Sequence, residues 1–277
     1  MNPCAGGGAE PARGLAGAAY AAAMTRRAAV AAMSAVTLLL LGWSLGARVG
    51  DEPDRAPTVG ADAATTTKAT DLLRSGTAFI DQTSFRVDAD IASQVTTVAH
   101  ADNINKRADT TISALGRVVE IRMIDDEVYL KTDMDLPGVG HEWMRLDPAR
   151  VPADFAVSFA PGRNDPGGSA RLINAIVTAR ADGPHVTGTI DLTRVGAGTG
   201  INFRAGPDGF PDGARSNAFS ATLDADGRLV SFAIPAANGM PDATLRYSDF
   251  GAPVSVARPQ GAVAAPDALY PQLGLGG

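Results

Sequence analysis

The chain reads as an α+β protein, a largely antiparallel sheet with its helices gathered on one face. Short runs alternate apolar and polar residues with period two, as in Phe85-Arg86-Val87-Asp88-Ala89-Asp90-Ile91. Helical spacing is confined to brief stretches, and the elements come in the order helix, strands, helices, strands. Helices segregated from consecutive strands are the mark of this class. The 277 residues suffice for a substantial core, and 45% hydrophobic content with only 5% aromatic makes that core mainly Ala, Val, Leu and Ile.

The elements follow in order. Residues 1–27 are an Ala/Gly-rich tail, expected to be disordered and cytoplasmic, in which Met24 before Thr25-Arg26-Arg27 is a second candidate start beside Met1. Residues 28–47 carry no charge. At ~1.5 Å per residue such a helix crosses a hydrocarbon core of about 30 Å. Arg26 and Arg27 precede it while Asp51, Glu52 and Asp54 follow, which places everything after residue 50 outside the membrane. Two fates stay open: cleavage after Gly46 or Ala47, or retention as a membrane anchor. Residues 48–67 are a Pro-, Ala- and Asp-rich linker.

The exported domain then spans 68–258. A short amphipathic helix is expected over 68–81, capped by Thr66 or Thr67, with Leu72, Leu73, Phe79 and Ile80 apolar. Strands are expected at 85–91, 119–123, 127–131 and 142–147, with a turn at Asp125-Asp126. Two helices should follow, one near 151–159 and one over 169–179 bearing Leu172, Ile173, Ile176 and Val177 on one face. Further strands fall at 186–192, 219–223, 229–234 and 244–247, the middle two joined by Asp224-Ala225-Asp226-Gly227. The Gly-rich stretch 195–217 exceeds the ~12–15 residues usual for a structureless loop, so it is a flap, an insertion or a hidden element. Residues 259–277 read as a low-complexity, disordered tail.

Charge and composition exclude several functions. Four of the 24 basic residues and one of the 30 acidic ones lie in 1–50, leaving 20 against 29 in the rest. A domain of net charge -9 with no basic stripe repels nucleic acid. One cysteine, Cys4, allows neither a disulfide framework nor a cysteine-built metal site, and His100, His141 and His185 form no metal-binding motif. No metal or cofactor is expected. Gly42-Trp43-Ser44-Leu45-Gly46 matches a hydrolase nucleophile motif but lies inside the apolar segment, without the strand that motif needs. Asp224-x-Asp226-Gly227 lacks the acidic twelfth residue of a calcium loop, since Ala233 stands there. Gly196, Gly198 and Gly200 lack the third glycine of a dinucleotide loop, since Phe203 stands there. The carboxylate pairs Asp88/Asp90 and Asp133/Asp135 read as solvated surface groups rather than acid–base pairs. The apolar faces form either a packed core or, with so few aromatics, a cavity for acyl chains.

Several spaced segments carry a resemblance. They are Glu127-Val128-Tyr129-Leu130-Lys131, Glu142-Trp143-Met144-Arg145-Leu146-Asp147, Phe219-Ser220-Ala221-Thr222-Leu223-Asp224 with Gly227-Arg228-Leu229, and Leu245-Arg246-Tyr247-Ser248-Asp249-Phe250-Gly251-Ala252-Pro253-Val254. In order and spacing this resembles the LppX/LprA/LprG lipoproteins of bacterial envelopes, relatives in fold of the LolA carrier. The resemblance implies a curved antiparallel half-barrel with helices on its concave face, enclosing a cavity for an acylated lipid or lipoglycan carried between envelope layers. It departs at the lipobox, where Trp43 follows Leu41-Gly42 in place of the lipid-bearing cysteine.

The expectation is a non-enzymatic, extracytoplasmic lipid-binding or lipid-transfer protein at the cell membrane, or secreted if cleaved, with envelope transport partners. Acyl chains would lie between Ile91, Val119, Ile121, Met123, Val128 and Leu130 of the sheet and a helix bearing Ile173, Ile176 and Val177. The alternative is a closed-core envelope scaffold of the same fold. A hydrolase is the third and weakest reading.

Overall fold

The structure, a computed structural model, describes residues 62–151, 157–196, 198–206 and 208–273. The tail, the apolar segment 28–47 and most of the linker lie outside the described residues. Among those described, no helix is long and apolar enough to cross a membrane.

Twelve strands form one sheet: β1 Phe85–Ile91, β2 Val95–Asp102, β3 Arg107–Ala114, β4 Arg117–Ile124, β5 Glu127–Thr132, β6 Met144–Leu146, β7 Ile176–Asp182, β8 His185–Ile190, β9 Asn217–Leu223, β10 Leu229–Ile234, β11 Ala243–Ser248 and β12 Val263–Ala264. Among the described residues, three α-helices accompany them, α1 Ala63–Gly76, α2 Ser169–Asn174 and α3 Leu269–Gln272. The strand order is β12-β6-β5-β4-β3-β2-β1-β11-β10-β9-β8-β7, so the sheet does not close. All neighbours run antiparallel except β12 beside β6. Adjacent twisted strands rotate by roughly 20–25° each, so a sheet this wide curls, and the arrangement fits a curved half-barrel.

Alternation makes the sheet one-sided. In β1 the residues Phe85, Val87, Ala89 and Ile91 are buried while Arg86, Asp88 and Asp90 are half-exposed. Asp88 is held by the Arg86 guanidinium, and Asp133 lies 3.8 Å from Arg117, as surface carboxylates do. β2 and β3, not foreseen as strands, obey the same rule with smaller residues: Val95, Thr97, Ala99 and Ala101, then Ala108, Thr110, Ile112 and Ala114. Ala and Thr at the buried positions hide the apolar contrast that marks a strand in sequence.

The helices differ from expectation at their ends. α1 starts at Ala63 because the Asp62 carboxylate accepts from the Thr65 N–H at 2.7 Å. Thr66 is thereby free to accept, through its hydroxyl, from the Ala179 N–H, which fixes α1 along β7. The helix expected over 169–179 stops at Asn174, and β-branched Ile176, Val177 and Thr178 open β7. Of the helix expected near 151–159, residues 152–156 lie outside the described residues, and Val157 to Phe159 are not helical.

The Asp224–Gly227 stretch is a hairpin turn. Asp224 accepts from the Asp226 and Arg228 N–H groups, and Gly227 takes a left-handed φ of 78°. Residues 259–273, expected to be disordered, are instead structured. Val263 and Ala264 add to β6, and Leu269, Tyr270 and Leu273 are buried. Apolar side chains at 269, 270 and 273 reward packing, which the Pro and Gly around them conceal in the sequence.

Candidate functional site

The apolar face of the sheet is the candidate site. Strand register places Ile121 opposite Leu130 and Met123 opposite Val128, with Val119 on the same face two residues before Ile121. Directly opposed residues lie close enough for side chains to touch, so β4 and β5 present one apolar strip. Ile91 is buried at the end of β1, opposite Val95 and Ala243. Ile173 is buried on α2 and Ile176 at the start of β7. These eight belong to a single apolar cluster. Val177 does not join them. It is 47% exposed, because a strand sends neighbouring residues to opposite sides, whereas the expected helix kept 176 and 177 together.

A pocket of about 200 Å³ opens on this face at the β4–β5 hairpin. Met123 and Val128 are its buried lining, and Pro148, Val151, Val157 and Phe159 are further apolar walls. Asp125 and Asp126, exposed at the hairpin turn, stand at its edge. The Arg107 guanidinium 2.8 Å from Asp125 holds that carboxyl below its ordinary pKa, so the edge is anionic at neutral pH. Val151, Val157 and Phe159 were not among the expected lining residues. In the sequence they stand in an apolar cluster soon after a strand, whose spacing predicts a helix instead.

The space expected between the sheet centre and the α2 region is filled. Gly167 lies so close to the sheet that a Cβ there would sit 2.6 Å from Leu245 Cδ1 and 3.0 Å from Val87 Cγ2. Gly200, with φ of +70°, lies on Gly167 in turn: a Cβ would come 2.3 Å from the Gly167 carbonyl oxygen. Within the Gly-rich stretch 195–217, residues 198–203 are therefore an internal layer, with Val195 and Ala214 also buried, while Asp208, Gly209 and a 3-10 turn over Asp212–Arg215 lie largely at the surface. The stretch was expected as a flap, an insertion or a hidden element, and the packing comes from apolar residues between glycines that let backbone lie on backbone.

A polar network holds this layer to the sheet. The Asp165 carboxylate accepts from the Tyr247 hydroxyl at 2.7 Å, the Ser169 hydroxyl at 2.8 Å and the N–H groups of Gly168 and Ala170. Burial, followed by the Asp165 charge, pushes the Tyr247 hydroxyl well above its ordinary pKa. Tyr247 also meets Phe79 edge-on, and Phe79 meets Phe85 and Phe250, so the Tyr247-Ser248-Asp249-Phe250 segment anchors one end of the apolar side.

A second cavity, of about 360 Å³, lies on the other side of the sheet. It runs between residues 255–257 and β3–β4, where Asp109, Thr111, Glu120 and Arg122 line it. Charged walls suit acyl chains poorly. The segment above it straps the outer surface: Arg258 pairs with Glu127 at 2.5 Å and Asp125 at 3.1 Å, and Arg122 donates to the Ala257 carbonyl while stacking on Trp143. Farther on, Arg150 pairs with Asp267 and stacks on Tyr270, whose hydroxyl accepts from the Asp147 N–H at 2.7 Å. One C-terminal segment thus ties down both sides of the 200 Å³ pocket.

Among the described residues, no three His, Cys, Asp or Glu side chains gather as metal ligands would. His100 lies 3.3 Å from Asp109, and His141 and His185 are exposed. Ser44 and its motif lie outside the described residues.

No family model matches the chain, and no curated protein matches it in sequence. Among solved structures it is similar to the lipoprotein LppX of Mycobacterium tuberculosis, at 12% identity over 69% of this chain and 99% of that one, with a TM-score of 0.40. A weaker likeness is to a DUF1329 family protein of Desulfovibrio piger, at 10% identity over 70% and 95% of the two chains, with a TM-score of 0.20.

Proposed function

We propose that the chain is a non-enzymatic, extracytoplasmic protein that binds the acyl part of a lipid on the apolar side of its sheet. The carrying observation is the 200 Å³ pocket lined by buried Met123 and Val128 and by apolar walls at Pro148, Val151, Val157 and Phe159. An apolar cavity of about 150 Å³ holds a benzene ring, so this one takes a stretch of acyl chain rather than a whole lipid. Each methylene buried contributes about 0.8 kcal/mol, so four or five in the pocket give about 3–4 kcal/mol. A longer chain needs more room, and the glycine-built layer over the sheet centre is the part whose displacement would provide it. The exported position follows from the charge pattern around residues 28–47. The spaced residues resembling envelope lipoproteins agree with it.

One observation favours a second reading. Gly167 and Gly200 pack the sheet centre closely, as a closed-core envelope scaffold would have it. Organic extraction of the purified chain with mass spectrometry, followed by titration with a fluorescent fatty acid, separates the two. The lipid reading expects co-purified lipid or saturable binding, a loss of binding of about tenfold or more on filling the pocket with Met123→Trp, and no change from Val177→Trp on the opposite side. A lipid-free chain that ignores the fatty acid would leave the scaffold.

A further inference from the structure

The 200 Å³ pocket has apolar walls and an ionised mouth. Asp125 and Asp126 are the only ionisable groups among the described residues that line it, and Ser158 is the one neutral polar side chain there. Both acids sit on the turn between β4 and β5, where their side chains are 49% and 92% exposed. A chain running into the pocket therefore leaves its head group in water beside two carboxylates. The opposing cations stand elsewhere. Arg107 and Arg258 each take one Asp125 oxygen, at 2.8 and 3.1 Å, and neither lines the pocket. Asp126 meets Lys106 at 3.4 Å, and its other oxygen takes no bond among the described residues. Lys106 does not line the pocket either.

At contact range, then, a head group meets acceptors and no cationic donor. An ammonium donates three hydrogen bonds, a hydroxyl donates one, and an ionised carboxylate donates none. A fatty-acid head brings like charge to the rim with no proton to share. An amine head is drawn to both acids, and a hydroxyl head gains a bond without a charge. Pairs this exposed are individually weak, so they rank ligands and leave entry of the chain to the apolar walls. We infer that the pocket takes acyl or alkyl chains whose head group donates hydrogen bonds and carries no negative charge, with a primary amine first, a hydroxyl next and a carboxylate last. This preference rests on the lipid-binding reading, since the apolar walls hold the chain whatever its head.

Isothermal titration of the full chain with decylamine, decanol and decanoate, at neutral pH, low salt and below micelle-forming concentrations, tests the ranking. At that pH an alkylamine is charged and a fatty acid is ionised, as Lys and Glu side chains are. Decylamine should bind about tenfold tighter than decanoate, with decanol between them. Asp126→Asn should reduce that ratio about threefold and Asp126→Lys should invert it. Residue 126 is exposed at a turn, so neither variant should move the melting temperature. Asp182→Asn makes the same charge change on β7, at the opposite side of the strand order from β4 and β5, and should leave the ratio unchanged. Met123→Trp should weaken all three ligands together. Decanoate binding as tightly as decylamine overturns the head-group preference and upholds the lipid reading. A preference for decylamine that Asp126→Lys leaves intact, or that Asp182→Asn reduces equally, comes from the net negative charge of the chain and overturns it too. Binding that Met123→Trp does not weaken lies outside the pocket and removes both readings, as does silence from all three ligands.

Discussion

The Tyr247 hydroxyl, sealed inside the protein with the Asp165 carboxylate as its acceptor, makes a definite statement about pH. Its pKa is raised by burial and then by that charge, whereas an unfolded tyrosine ionises near pH 10. Above about pH 10 the unfolded chain therefore releases a proton that the folded one keeps. The stability contributed is full below that pH and is lost as pH rises towards the folded value. Urea unfolding across this range should show an alkaline decline that Tyr247→Phe flattens. At neutral pH the same variant should cost about 1 kcal/mol for the lost hydrogen bond. Two glycines make a matched pair. Gly196 and Gly200 have φ of +73° and +70°, but a Cβ on Gly196 meets nothing within 4 Å while one on Gly200 strikes the Gly167 carbonyl. Gly196→Ala should cost about 1 kcal/mol for its backbone alone, and Gly200→Ala about 3 kcal/mol or more, read from urea midpoints. Single positions were legible only as far as their element was. Eight of the nine expected lining residues share the apolar cluster, and Val177 left it when its helix became a strand.

Elements in this chain are held by their neighbours more than by intrinsic preference. The C-terminal strap is the plainest case, with its ion pairs from Arg258 to Glu127 and Asp125 largely exposed. Such pairs contribute less than about 1 kcal/mol and weaken with salt. Arg258→Gln should therefore leave the melting temperature nearly unchanged. It should speed hydrogen exchange at Val263 and Ala265, whose N–H groups bond the Trp143 and Arg145 carbonyls. High salt should do the same to the native chain, and unchanged exchange in both would remove the strap's electrostatic role. Strands with large alternating residues, such as β1, β4 and β10, were readable from the sequence. β2 and β3 were not, because Ala99, Ala101, Ala108 and Thr110 supply buried positions without apolar contrast. β7 was not, because its pairing with β8 and its packing against α1 outweigh a helical spacing that Ile173, Ile176 and Val177 equally satisfy.

At the scale of the molecule, one sheet turns one apolar face inward and one charged face outward. That much was visible in the alternation of a few strands, but the strand order was not, since nothing local says that β1 lies between β2 and β11. The strap follows from this order. The chain leaves β11 near the middle of the sheet and must cross the outer face to reach β6, where β12 pairs in parallel. Its last described residues then clamp the 147–151 wall of the apolar pocket through Asp267 and Tyr270. This sets a clock on the protein. A ribosome makes residues 123 and 128 long before residue 270, so a nascent chain can pair β4 with β5 while the pocket still lacks its clamp. On the proposed lipid-binding reading, competence arrives late, after residue 270 has emerged, so a ligand is met by the clamped pocket and not by a chain still being made.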